Sequence, residues 1–232
     1  MTSLLDLGFT EQKEGVKFTP IPNGIYDAYV HCIIGLGLQP QQPDYTTKEP
    51  RDPAKEIRVV FEIPSIVRED EQTSVIKLDM RTSVHEKSMY AGLFRAVFGL
   101  STDSMDILNT SADALLGKVL SLRVREWSNE KTGRSGNGIK KDDMQVLDPR
   151  LAAVAKPATR PTFIFNPYNP DMEVFNTMLT YWTKKDIMEA LDSSQFPAVM
   201  HEAWVKVQEE SKNKQQTETA PFATGTSTEA IE

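Results

Sequence analysis

Val119-Leu-Ser-Leu-Arg-Val-Arg-Glu-Trp127 alternates: Leu120, Leu122 and Val124 fall on one side of an extended chain, and Ser121, Arg123, Arg125 and Trp127 on the other. Successive side chains of a strand point to opposite faces, so the stretch predicts a half-buried strand. Its inner face is apolar; its outer face is basic and ends in an aromatic ring. Gly117 opens it, and the polar loop Ser128 to Asn137, with Gly133 and Gly136, follows. A further strand is expected from Gly138 to Leu147.

Working back toward the N-terminus, Tyr90, Leu93, Phe94, Val97 and Phe98 recur at three- and four-residue spacing within Val84 to Phe98, one face of a helix with Gly99 at its stop. Ser111 to Leu116 adds a turn or two of helix. Three more strands precede the helix. Ser74 to Thr82 sets Ile76, Leu78 and Met80 against Lys77, Asp79 and Arg81. Glu56 to Ile63, ended by Pro64, sets Val59, Phe61 and Ile63 against Arg58, Val60 and Glu62. Ile25 to Leu36 sets Tyr26, Ala28, Val30 and Cys32 against Asp27, Tyr29 and His31, after the turn cluster Pro20-Ile-Pro-Asn-Gly24. Between strands one and two lies a long loop, Gly37 to Ala54, with four prolines and with Tyr45, Lys48 and Arg51. The order β-β-β-α-β-β over residues 20–148 predicts a mainly β chain built on a five-stranded OB-fold barrel, its helix joining strands three and four.

After Pro149 the character changes. Lys156 to Pro170 contains four prolines and reads as a semi-rigid connector. Residues 171–191 predict a helix capped by Asp171, with Met172, Phe175, Met178, Leu179 and Trp182 near one face. Residues 198–213 predict a second helix carrying Val199, Ala203, Trp204 and Val207. The Thr- and Gln-rich stretch from Asn213 to Glu232 cannot bury enough to fold and is expected to be disordered, and residues 1–17 read as a polar lead with one short apolar run.

Composition narrows the function. The single cysteine, Cys32, excludes an internal disulfide and a multi-cysteine zinc site, and the three histidines at 31, 85 and 201 do not supply one. No signal peptide and no membrane-length apolar run is seen, so a soluble protein of a reducing compartment, with no membrane partner, is expected. The formal charge is −7, unevenly spread. Residues 118–141 hold Lys118, Arg123, Arg125, Lys131, Arg134, Lys140 and Lys141 against Glu126 and Glu130, whereas residues 186–232 hold nine acids and three bases.

The outer faces of the strands therefore collect Tyr29, His31, Arg58, Lys77, Arg81, Arg123, Arg125 and Trp127, with Lys131 and Arg134 on the adjoining loop and Lys140 beyond it. Single-stranded nucleic acid is bound by such a mixture. Cations neutralise phosphates and release counterions, and aromatic rings stack on bases. The bland reading of any one of these residues is a solubilising surface charge or a rim aromatic. An enzyme is disfavoured: Glu69, Asp70 and Glu71 sit on a turn where adjacent carboxylates diverge, Asp142-Asp143 is similar, and no Walker-type, HExxH or GxSxG pattern is present. No cofactor is expected. A protein-interaction or assembly role through the aromatic-rich region 171–213 is the other class considered.

Phe18-Thr-Pro-Ile-Pro-Asn-Gly-Ile-Tyr26 resembles the opening of phage-encoded single-stranded DNA-binding proteins of replication and recombination clusters. Val59-Val-Phe-Glu-Ile63 is similar to their second strand, and Leu115-Leu-Gly-Lys118 with Leu120 to Val124 to the opening of their fourth. The resemblance covers residues 18–148. It implies an OB-fold, sequence-tolerant binding of single strands, and a place in the cytoplasm of an infected cell. The long loop after strand one and the helices at 171–213 depart from the pattern. They suit self-association or docking of a replication or recombination partner. The tail lacks a dense acidic tip, and Pro221-Phe222 is internal.

Overall fold

β-branched and aromatic residues dominate the strand segments, and their alternation builds one sheet. The computed structural model describes residues 20–44, 46–68, 71–99 and 103–219. The lead 1–19, Tyr45, Glu69, Asp70, residues 100–102 and the tail 220–232 lie outside them. Seven strands are present among the described residues: β1 (Gly24–Gln39), β2 (Ala54–Val67), β3 (Thr73–Arg81), β4 (Val119–Asn129), β5 (Arg134–Gly138), β6 (Met144–Gln145) and β7 (Phe163–Phe165). The main path runs β3-β2-β1-β4-β5, all antiparallel. β6 adds to β4, and β7 pairs in parallel with β1. Helix α1 (Met89–Phe98) falls between β3 and β4 as expected, capped by the Ser88 hydroxyl and stopped at Gly99, followed by α2 (Ser104–Asn109).

The closed five-stranded barrel is not formed. Among the described residues β3 and β5 do not pair, and the sheet stays open at that seam. Strand two also does not end at Pro64 but continues to Val67 across an irregularity between Ile63 and Val67. A proline survives there because a bulge needs no ladder N–H. Strand five is displaced. The segment expected to be loop, Arg134 to Asn137, is most of β5, and Lys141–Asp143 is a 3-10 turn leading to the two residues of β6.

The inner face collects the first core. Ala28, Val30, Val59, Phe61, Ile63, Ile76, Met80, Leu120, Leu122 and Val124 pack with Leu93 and Phe94 of α1. The alternations of strands two, three and four hold throughout. That of strand one fails at His31. Val30 faces Phe61 but Cys32 faces Val60, so His31 is the extra residue of a β-bulge. One inserted residue flips every later side chain to the other face. Ile33 therefore joins the inner core, while Cys32, Ile34 and Leu36 point outward.

A second core covers that outward face. Cys32, Ile34, Leu36 and Val60 pack against Phe165, Phe175, Leu179, Ile187, Phe196 and Met200. The segment after Pro149 supplies the cover: α3 (Pro149–Ala152), β7, α4 (Met172–Thr177), α5 (Tyr181–Met188) and α6 (Ala198–Thr219). The connector is thus partly a strand, and the helix expected over 171–191 is two. Asp171 caps the first, accepting from the Glu173 and Val174 N–H groups, and Thr180 caps the second. The last helix runs past Asn213 to Thr219, so the start of the stretch expected to be disordered is helical. Gly37 lets the two parts meet. Its φ is +78°, and a Cβ there would lie 2.8 Å from Asp192 Oδ1 and 2.9 Å from Ala190 Cβ. Asp192 accepts the Leu38 N–H at 2.8 Å, and Leu191 donates its N–H to Leu38 O at 2.8 Å.

Glu62, fully buried, ties the connector to the sheet. Its carboxylate accepts from the Thr73 hydroxyl at 2.7 Å, from the Thr159 N–H and hydroxyl at 2.9 and 2.7 Å, and from the Arg160 N–H at 3.1 Å. Burial alone would raise its pKa, but these hydrogen bonds outweigh it and hold the group below its ordinary value.

Candidate functional site

On the outer face of β4, residues 123, 125 and 127 are exposed, as the alternation requires. Trp127 sits opposite Gly136 of β5 and leans over Gly136 and Gly138. A Cβ at Gly136 would lie 2.9 Å from the indole Cζ2, and one at Gly138 3.7 Å from Cδ1. Glycine at both positions leaves room for the ring to lie against the strand. The indole N–H is 3.3 Å from Asn137 O, which fixes its orientation. The residue remains 48% exposed, so a ring anchored on one side offers apolar surface on the other.

Arg125 is held by Asp143. Its Nε lies 3.0 Å from Oδ2 and its Nη2 2.7 Å from Oδ1, a two-pronged pair that fixes the guanidinium plane. Asp143 is 3% exposed while the Arg125 side chain is 46% exposed, so the buried carboxylate orients a cation still open to solvent. The Arg125 hydrogen bond is the main reason the Asp143 carboxyl is held below the usual carboxylate range. Burial opposes it, and the Lys140 N–H, at 2.8 Å, reinforces it. Arg123 is exposed beside Ile25, its cross-strand neighbour, which is exposed as well. Lys140 is exposed at the start of the 3-10 turn, and Lys131 is exposed in the turn closing the β4–β5 hairpin, where Asn129 Oδ1 accepts its N–H. Arg134 lies on β5 opposite Asn129.

The remaining expected site residues lie on the other half of the sheet, in different surroundings. Arg58 is covered by α5. It makes two contacts of 2.6 Å with the Asp79 carboxylate and one of 2.9 Å with Asp186, and only 11% of its side chain is exposed. Arg81 donates to Gln41 Oε1 at 2.6 Å. Tyr29 is half-buried between Glu62 and Val119, its hydroxyl pKa raised by burial and by the nearby Asp27 and Glu62. His31 lies edge-on to Phe163 with centroids 5.6 Å apart, and burial lowers its pKa. Arg81 and Lys77 are both exposed, and Lys77 lines an open groove.

That groove occupies the unpaired seam. Lys77, Leu78 and Asp79 of β3 form one bank and Asn137, Gly138 and Ile139 the other, with Arg58, Trp182 and Asp186 completing a cleft of about 470 Å3. Trp182 is 66% exposed, although the spacing from Leu179 suggested a packed helix face. The chain breaks between α4 and α5, and the Thr180 cap resets the helical phase. A threonine three residues before Thr183 in a polar run was the available signal for that break. Gly136, read as a loop residue, and Gly138, read as the start of a strand, are the other feature whose role needed the structure. Among the described residues no group of three or more His, Cys, Asp or Glu could hold a metal ion, and no helix is long and apolar enough to cross a membrane. Comparison of the chain with protein-family models, curated proteins and solved structures finds no match in any of the three.

Proposed function

We propose that this protein binds single-stranded DNA without regard to sequence, through the outer face of β4 and β5. The observation that carries the reading is Trp127, an exposed indole seated on two glycines beside Arg123 and the Asp143-oriented Arg125. A base stacks on the ring whatever its identity, because every base has a π-face. Arg123, Arg125, Lys131 and Lys140 meet the phosphates, and counterion release makes the binding fall with salt. The strand order β3-β2-β1-β4-β5, with α1 between β3 and β4, supports an OB-type connectivity left open between β3 and β5. Most of the net charge of −7 comes from residues 186–232, where nine acids face three bases. The motif resemblance sets this binding in phage replication or recombination, where it would protect exposed single strands.

The test is fluorescence anisotropy of a labelled mixed-sequence single strand at two salt concentrations, with duplex DNA and RNA as competitors. Salt-sensitive binding that duplex does not displace, weakened by Trp127→Ala, is the expected result. Absence of binding at low salt overturns the reading. It would favour a protein-interaction role for the helices, on which Trp182, Leu191 and Val205 are exposed.

A further inference from the structure

The seam groove differs from the β4–β5 face in charge. Arg58 and Lys77 are balanced there by Asp79 and Asp186, and Arg58 is engaged by both carboxylates. A phosphate would find no net cation in it. A nucleobase finds complementary chemistry: carboxylates that are each 41% exposed to accept from its amino groups, the exposed Lys77 to donate to a carbonyl, and an indole along one wall. Trp182 supplies that wall. It is about two-thirds exposed. Tyr181 meets it edge-on, with ring centroids 5.3 Å apart, and Lys185 Nζ lies 5.5 Å from its centroid. A large aromatic left this open commonly marks a binding surface.

The groove also joins the first platform. Gly138, one of the two glycines beneath Trp127, is a groove residue. Trp127 therefore lies over the same short strand that Trp182 faces across the seam. Resting on the nucleic-acid reading above, we propose that the groove between β3 and β5 is a nucleobase subsite with Trp182 as its stacking wall. The segment after Pro149 then supplies one bank of the binding site. A single strand stacked on Trp127 continues over the seam and places a following base on Trp182, its phosphates remaining on the basic β4–β5 side.

The chain has three tryptophans, so the double variant Trp127→Phe/Trp204→Phe leaves Trp182 as the sole reporter. Its emission is titrated with oligo(dT), beside anisotropy measurements on Trp182→Ala and Trp182→Phe. Circular dichroism spectra check the fold of each variant. Expected are quenching of Trp182 that saturates with binding, a roughly five- to 150-fold loss of affinity in Trp182→Ala, and substantial recovery in Trp182→Phe. The occluded length should shorten in the alanine variant. Unquenched Trp182 with unchanged affinity in Trp182→Ala, while Trp127→Ala still weakens binding, overturns the subsite and leaves the β4–β5 reading standing. Failure of the wild-type chain to bind overturns both. Loss of self-association in Trp182→Ala at unaltered DNA affinity assigns the ring to a protein contact and also overturns the subsite.

Discussion

The outer faces of the β2–β3 half and the β4–β5 half carry the same sequence pattern, cations alternating with apolar residues, yet the finished protein uses them differently. On β2, Arg58 is capped by α5 and bound to Asp79 and Asp186, and Val60 beside it is part of a core. On β4, Arg123, Arg125 and Trp127 remain open, and the carboxylate that grips Arg125 comes from the buried Asp143 of the 3-10 turn. Strand alternation decides which way a side chain points. Whether it then meets solvent is decided by chain more than a hundred residues away. A basic outer face is evidence for a binding surface only after the rest of the chain has been placed.

The contrast can be broken most severely from the covered half. Phe175 is fully buried between the helices and the outward side of β1, so Phe175→Ala should cost about 3–5 kcal/mol. If the cover and the sheet are one cooperative unit, urea melts followed by far-ultraviolet circular dichroism and by tryptophan emission will shift together. Separate transitions would show two independently stable parts. On the open half, Trp127→Ala should leave the melting curve nearly unchanged and cost roughly 1–3 kcal/mol in single-strand affinity. Gly136→Val sharpens the point, since a Cβ there meets the indole at 2.9 Å. It should reproduce most of the affinity loss by lifting the ring from its seat, measured by anisotropy.

Glu62→Gln tests the tie between the connector and the sheet. It places an amide NH2 among donors and should cost about 1–3 kcal/mol in thermal or urea melts. The Glu62 carboxyl has a folded pKa below its unfolded value of about 4.3, so its stabilisation is fully present above that pH and fades as the pH falls through the folded value. The wild-type melting temperature should therefore drop more steeply in acid than that of Glu62→Gln. The smallest effect is expected from Arg123→Ala, which should lower the slope of log affinity against log salt by about one or less. It is a cleaner probe than Arg125→Ala, which would also strip Asp143 of its partner in a nearly buried site.

Much of this was legible from alternation alone. The inner faces of β2, β3 and β4, the position of α1 and the outward set on β4 follow from period-two and period-3.6 patterns that core burial enforces. Strand one misled at His31, because no local residue preference marks a bulge whose extra residue is an ordinary histidine. Cys32 was expected to be buried and is, with its thiol pushed up to about 12 by that burial, but on the other side of the sheet. Short strands were hidden by composition. Arg134 to Asn137 is polar with a glycine and reads as a loop, and Phe163 to Phe165 stands among prolines; pairing with β4 and β1 makes strands of both. The candidate site was half legible. Arg123, Arg125 and Trp127 follow from one strand, whereas the glycine seat, the Asp143 brace and Trp182 depend on contacts between segments.

The cover on β1 also sets a schedule for synthesis. Leu38 and Asp192, which bond directly, are separated by 154 residues. At translation speeds of about 5–20 residues per second, Ile34 and Leu36 wait on the order of ten to thirty seconds before the segment that shields them leaves the ribosome. For that interval the nascent chain displays an apolar strand face with no cover. The last third of the chain is thus a completion step for the first strand, and a ribosome stalled before residue 190 would release a sheet prone to pair with its neighbours.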